Sequence, residues 1–268
     1  MKLVACLLGV LVLAAPAAGP ADYVLSRQQP DGGFAEPGGS SDPSLTAWAV
    51  LGLATVDRPP ASAAQYLAGK PYPEAIDLAL RILALRALNQ DVEALADRLE
   101  TLRRPDGRIG PLVNSTAWGV LALRSAGRPA GASVSFLLRQ QRRSGGWSWA
   151  LRGPTDSNDT AAVVQALRAA GVSQQAAALR RGLAYLRRLQ RPDGGFPLVA
   201  GRAADAQSTA WVIQALVAAG REPGRGAFRY LARLRRPDGS YRYSRRRVST
   251  PVWVTAQVLP ALARDPFP

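Results

Sequence analysis

The chain has 268 residues, 47% of them apolar, and carries 34 Lys and Arg against 19 Asp and Glu, a formal charge of +15. It contains no histidine and one cysteine, Cys6. These absences exclude Ser-His and Cys-His catalytic pairs, and also a zinc site of ordinary type, whose ligands are thiolate and imidazole.

Residues 1–17 read as a secretory signal. Lys2 is a short positive region, residues 3–14 are apolar but too few to span a bilayer, and Ala15-Pro16-Ala17 is a small-x-small cleavage site. An uncleaved anchor is the alternative. The expected location is secreted, periplasmic or cell-surface, with no thiol and no transmembrane span after cleavage.

From residue 21 to 268 one domain is expected, built from a repeated pattern. Turns at Pro30-Asp31-Gly32-Gly33-Phe34, Pro105-Asp106-Gly107, Ser144-Gly145-Gly146-Trp147, Pro192-Asp193-Gly194-Gly195-Phe196 and Pro237-Asp238-Gly239-Ser240-Tyr241 each precede an apolar helix. Those helices open at Thr46, Thr116, Thr160, Thr209 and Thr250. A period of roughly 40–50 residues signals a repeat architecture. A sixth repeat, around residues 76–85, has lost both its glycine turn and its threonine.

Apolar helices alternate with amphipathic ones, and a helix that is apolar all round must be buried. The pattern therefore predicts six inner helices starting near Asp42, Pro73, Asn114, Asp156, Asp205 and Val248. Six outer helices are predicted near residues 23–29, 60–69, 91–104, 131–141, 174–190 and 225–236. The fold class is all-α, a ring of six inner and six outer helices, which needs no capping repeats.

Nearly all the positive charge is arginine, recurring at outer-helix ends where cations complement the helix dipole. A solvated outer face accounts for it; attraction to a polyanionic surface is the functional reading. Nothing points to a specific nucleic acid, and the oligomeric state is not legible. Arg245-Arg246-Arg247, beside Tyr241 and Tyr243, is the one distinct cluster.

The turns beginning at Gln29, Gln141 and Gln190 resemble the QW repeats of the terpenoid cyclases and protein prenyltransferases, best known in squalene-hopene cyclase. The resemblance implies an α/α toroid in which Gln and aromatic side chains tie outer helices together. At the two partial turns Arg104 and Arg236 stand nearer than any Gln.

Asp156-Ser157-Asn158-Asp159-Thr160-Ala161 resembles the Asp-x-Asp-Asp-Thr-Ala motif of class II terpene cyclases. The resemblance implies that the middle position is the acid. Here it is Asn158, and an amide has no proton to give at accessible acidity. Asp156 and Asp159 are the candidate substitutes. Helix capping is the competing reading of Asp42, Asp156 and Asp205 alike.

Inner helices running in one direction bring Asp42, Asn114, Asp156, Asn158, Asp159 and Asp205 to one mouth. Trp48, Trp118 and Trp211 share a position two residues after the threonine, with Trp253 one residue later. They either pack between helices or line a cavity below the rim. No cofactor and no metal is implied. The reading that follows is a non-catalytic exported toroid that binds an amphipathic or isoprenoid-like ligand, or a partner. A terpene-cyclase-like enzyme using Asp156 or Asp159 is the first alternative, and a polysaccharide-active toroid the second.

Overall fold

The computed structural model describes residues 18–266; the expected signal, residues 1–17, lies outside them. Twelve α-helices follow in order among the described residues. They are α1 (Pro20–Leu25), α2 (Pro43–Ala54), α3 (Ala63–Ala68), α4 (Ala75–Ala87), α5 (Glu93–Thr101) and α6 (Val113–Ser125), then α7 (Ala132–Arg139), α8 (Ser157–Ala169), α9 (Ala177–Leu189), α10 (Ala206–Ala218), α11 (Arg225–Ala232) and α12 (Pro251–Ala263). The even-numbered helices pack each on the next, and α12 packs on α2, closing the inner ring. Each odd-numbered helix from α3 to α11 packs on the inner helix before it. The short α1 packs on α12 and completes the outer ring.

The division follows from composition. In α2 every residue from Leu45 to Leu53 is buried, so no side can face water. In α9 the buried residues Leu179, Leu183, Leu186 and Leu189 recur at helical spacing and arginines fill the other face. The outer helices are shorter than their pattern suggests. Their last residues leave the helix to bridge the turn, as Gln28 does to Phe34 and Arg103 to Ile109.

Each turn is locked to its inner helix by one buried hydrogen bond. The backbone N–H groups of Phe34, Trp147 and Phe196 donate to the hydroxyls of Thr46, Thr160 and Thr209 at 2.8, 2.9 and 2.9 Å. Ile109 donates likewise to Thr116 at 3.1 Å. In the last repeat the acceptor is Thr255, at 2.9 Å from the Tyr241 nitrogen, and not Thr250. Thr250 instead precedes α12 in a left-handed conformation, φ 41°. This shifts the register of the last repeat by five residues from the sequence expectation.

Gln28, rather than Gln29, makes the first tie between outer helices, donating to the Gly32 carbonyl at 3.0 Å and the Ser62 hydroxyl at 2.9 Å. Gln141 does the same to Gly145 and Ala178, both at 2.8 Å. At the partial turns Arg103 and Arg235, rather than Arg104 and Arg236, take this place. They donate to Pro129 and Ala18, just before α7 and α1. Glycine is required inside the turn: Gly194 has φ +91°, and a Cβ there would meet the Gly226 carbonyl oxygen at 2.3 Å.

At the opposite end of the ring, arginines join the C-termini of successive inner helices. Arg86 Nε donates to Ser125 O, Arg124 Nε to Ala169 O and Arg168 Nε to Ala218 O, at 3.1–3.2 Å. These satisfy terminal carbonyls and place cations at the negative helix ends. Part of the high arginine content is thus constructional.

Candidate functional site

With the threonines as register, two layers of side chains face the ring axis. Two residues before the threonine position stand Ser44, Ile76, Asn114, Asn158, Gln207 and Trp253. Two residues after it stand Trp48, Leu80, Trp118, Ala162, Trp211 and Gln257. All twelve line a single cavity of about 700 Å³. First and second turns of all six inner helices meeting in one space means that their N-termini converge on one mouth.

Trp48, Trp118 and Trp211 come from alternate inner helices and close the ring as a triangle. Their centroids lie 5.1, 5.2 and 5.6 Å apart, with rings at 78–87° to one another. Edge-to-face contact is the geometry aromatic quadrupoles favour. The three helices between them supply Leu80, Ala162 and Gln257, which leave room for the indoles. Trp211 Nε1 donates to Gln257 Oε1 at 3.0 Å. Core packing and cavity lining are therefore the same role here, since the indoles pack together and form the floor. Trp253 is one helical turn higher than expected, four residues before Gln257. It lies against Trp48 at 6.2 Å, in the rim layer.

The acids divide. Asp42 is exposed and caps α2 through Leu45 N at 2.7 Å. Asp205 is buried and accepts from the Ser208 nitrogen and hydroxyl at 2.7 and 2.9 Å. Neither lines the cavity, contrary to the expected rim. The cap position turns each side chain back onto its own helix. Burial pushes the Asp205 carboxyl up to about 6, against the lowering effect of its hydrogen bonds to Ser208 and Tyr243.

Asp156 also caps its helix, accepting from Asp159 N at 2.8 Å, but it lines the cavity, as do Asn158 and Asp159. Asn114 Nδ2 donates to Asp159 Oδ1 at 2.6 Å, joining α6 to α8 at the rim. Burial raises both carboxyls of the Asp156–Asp159 pair. The negative charge of Asp156 and the hydrogen bond between the two add to the effect at Asp159. Asn114 opposes it, and Asp159 stands at about 8. The pair thus holds a proton at neutral pH. A carboxyl at about 8 donates a hydrogen bond well and is a weak acid.

The mouth is edged by loops whose carbonyls bond to rim nitrogens of the inner helices. Trp149 O accepts from Asn114 N at 3.2 Å and Leu198 O from Ser157 N at 2.8 Å. Trp149, Leu151 and Leu198 are exposed on those loops, Trp149 at 57%. The sequence reading missed Ser44, Ile76, Leu80, Ala162, Gln207 and Gln257 among the twelve residues facing the axis. The available signal was the spacing from turn aromatic to threonine, 12 or 13 residues at Thr46, Thr160 and Thr209 and 14 at Thr255. Among the described residues no group of three His, Cys, Asp or Glu could hold a metal ion, and no helix is long and apolar enough to cross a membrane.

The architecture defines an α/α toroid with one aromatic-floored cavity at the mouth where the inner helices begin. A family model described as the squalene-hopene cyclase C-terminal domain matches residues 129–250. A solved protein from Actinoplanes shares 21% identity at a TM-score of 0.71, over 92% of this chain and 97% of its own. A variant of the type II terpene cyclase MstE from Scytonema, in complex with geranylgeranyl dihydroxybenzoate, shares 17% at 0.66, over 92% and 95%. A wild-type glycosidase shares 12% at 0.68, over 92% and 95%. No curated protein matches the chain. The chain has the α/α-toroid fold of these solved structures, and within it residues 129–250 resemble the squalene-hopene cyclase C-terminal domain.

Proposed function

We propose that this is an exported toroid that binds an amphipathic, isoprenoid-like ligand in its central cavity without transforming it. The observation that carries the reading is the pairing of the tryptophan floor with a rim whose acid position is Asn158. An apolar chain of the ligand lies on the indoles, and its polar end meets Asn114, Asn158 and the protonated Asp159. Alkene protonation needs an unusually strong acid, and Asp159 at about 8 is far from one. The exposed Trp149, Leu151 and Leu198 beside the mouth suit passage of a partly apolar molecule. The fold likeness to a cyclase bound to a geranylgeranyl compound agrees with the reading.

One observation favours an enzyme: Asp156 and Asp159 both line the cavity, and burial raises both carboxyls above the ordinary carboxylate range. Incubating the mature protein with squalene or geranylgeranyl diphosphate separates the two readings. No product is expected, while geranylgeraniol is expected to quench tryptophan fluorescence saturably. Turnover that Asp159→Asn abolishes would establish the cyclase instead. Quenching by a soluble glucan and not by the isoprenoid would favour the polysaccharide reading. Export is tested by sequencing the N-terminus of protein from its source, with Ala18 expected first.

A further inference from the structure

The degenerate repeat leaves a gap in the outer wall. In the other five repeats the turn glycine packs on the next outer helix or the segment leading into it, as Gly32 does on Ser62, Gly107 on Ala132 and Gly145 on Arg181. Between α3 and α5 no such turn exists; residues 69–73 run directly into α4. Three residues past the threonine register, the other inner helices carry Ala49, Gly119, Val163, Val212 and Val258. Helix α4 carries Arg81 there.

Arg81 is only 7% exposed. Its guanidinium donates to Lys70 O at 3.0 Å and Ala68 O at 2.7 Å and stacks on Tyr72, 3.7 Å from the ring centroid. Its Nε is buried without a partner, and it forms no ion pair among the described residues. Burial, and then the charge of Arg98, pull its pKa down to about 10. The guanidinium borders an outer cavity of about 610 Å³ whose other charged lining residues are Lys70 and Arg98, with no carboxylate. Lys70 Nζ lies 4.5 Å from the Tyr66 ring centroid. A neighbouring cavity on the α3–α5 side, which Arg81 also lines, contains Asp31 and Asp91. Hydrogen bonds from Ser41 and Gly33, and then the charge of Lys70, hold the Asp31 carboxyl below its ordinary value.

We propose that the cavity bordered by Lys70, Arg81 and Arg98 binds a phosphate group. Three cations around one space repel one another unless an anion joins them. A guanidinium is weakly hydrated and directional, which suits an oxyanion held at the edge of the wall. The site opens on the outside of the ring; an intervening cavity lined by Asp77 shares Lys70, Tyr72 and Arg81 with it and Ser44 and Leu80 with the central cavity.

The test is calorimetric titration of the full mature chain with inorganic phosphate, against sodium chloride at equal ionic strength. The double variant Lys70→Gln/Arg98→Gln keeps the bonds from Arg81 to the Lys70 and Ala68 carbonyls and relieves the repulsion among the cations, so its melting temperature without phosphate should not fall. Its phosphate affinity should fall by about tenfold or more, the loss of at least one charge-assisted bond. Arg81→Gln should abolish binding, with circular dichroism reporting whether the fold survives. Cosedimentation with phosphatidylglycerol against phosphatidylcholine vesicles identifies the source. Loss of vesicle binding in the double variant assigns the site to a lipid headgroup, and retained vesicle binding assigns it to soluble phosphates. Equal responses to phosphate and chloride, or unchanged affinity in the double variant, overturns the proposal.

Discussion

Asn114 on α6 gives a 2.6 Å hydrogen bond to Asp159 on α8, across 45 residues of sequence. It is a polar contact between neighbouring inner helices at the rim of the central cavity, one residue from Asn158. The amide favours the ionised form of Asp159, and burial with Asp156 alongside outweighs it.

A pH dependence follows. The unfolded carboxyl ionises near 3.8, whereas the folded Asp159 keeps its proton to about 8. Across that window the folded state binds more protons, so this group's contribution to stability falls as pH rises and levels off above about 8. Asp205 acts in the same direction up to about 6. Asp159→Asn mimics the neutral form. Its stability relative to the parent should grow from pH 4 to pH 8, by on the order of 1–3 kcal/mol in urea unfolding. A constant difference across that range refutes the assignment.

The register of the last repeat is testable by contrast. Thr255→Val leaves the buried Tyr241 N–H without its acceptor and should cost about 1–3 kcal/mol. Thr250→Ala removes a side chain that makes no cap bond and should stay within about 0.5 kcal/mol.

The floor should resist truncation strongly. Trp211→Ala removes two edge-to-face contacts and the bond to Gln257, and about 3–5 kcal/mol of stability should go with it. Trp211→Phe keeps an aromatic ring and loses the bond, for about 1–2 kcal/mol. The alanine variant should also show weakened geranylgeraniol quenching, measured on the remaining indoles.

Two glycines with similar φ should respond differently. Gly194→Ala meets the Gly226 carbonyl as well as backbone strain and should cost about 3 kcal/mol or more. Gly171 has φ +83° with nothing within 4 Å of an added Cβ, so Gly171→Ala should cost about 1 kcal/mol. Thermal melts of the two variants distinguish contact from strain.

Ring closure rests partly on Glu36. Its carboxylate oxygens accept from Val252 N at 3.0 Å and Trp253 N at 2.8 Å, so the first turn caps the last inner helix. Glu36→Gln should cost about 1–2 kcal/mol and show first as faster amide exchange at α12.

The ring itself was legible in the sequence by local physics. All-apolar and amphipathic stretches alternate, turns use Pro, Asp and Gly for their φ values, and capping acids start helices. Each of these acts within a few residues, so counting them yields six inner and six outer helices. The site was legible only in part. Asn158 and the acids beside it could be read, but which acids face the axis could not, because Asp42, Asp156 and Asp205 have the same local pattern. Tertiary packing decided that Asp42 and Asp205 stay outside the cavity and that Asp156 joins Asp159 within it. It also decided that Thr255 rather than Thr250 sets the last register, which lifts Trp253 by a turn and leaves Gln257 on the floor. Arg81 needed the whole ring: a buried cation is meaningful only once the missing turn is seen to leave a cavity beside it. Burial, and therefore proton affinity, depends on neighbours brought together across the ring, whereas helix and turn formation depends mainly on neighbours along the chain.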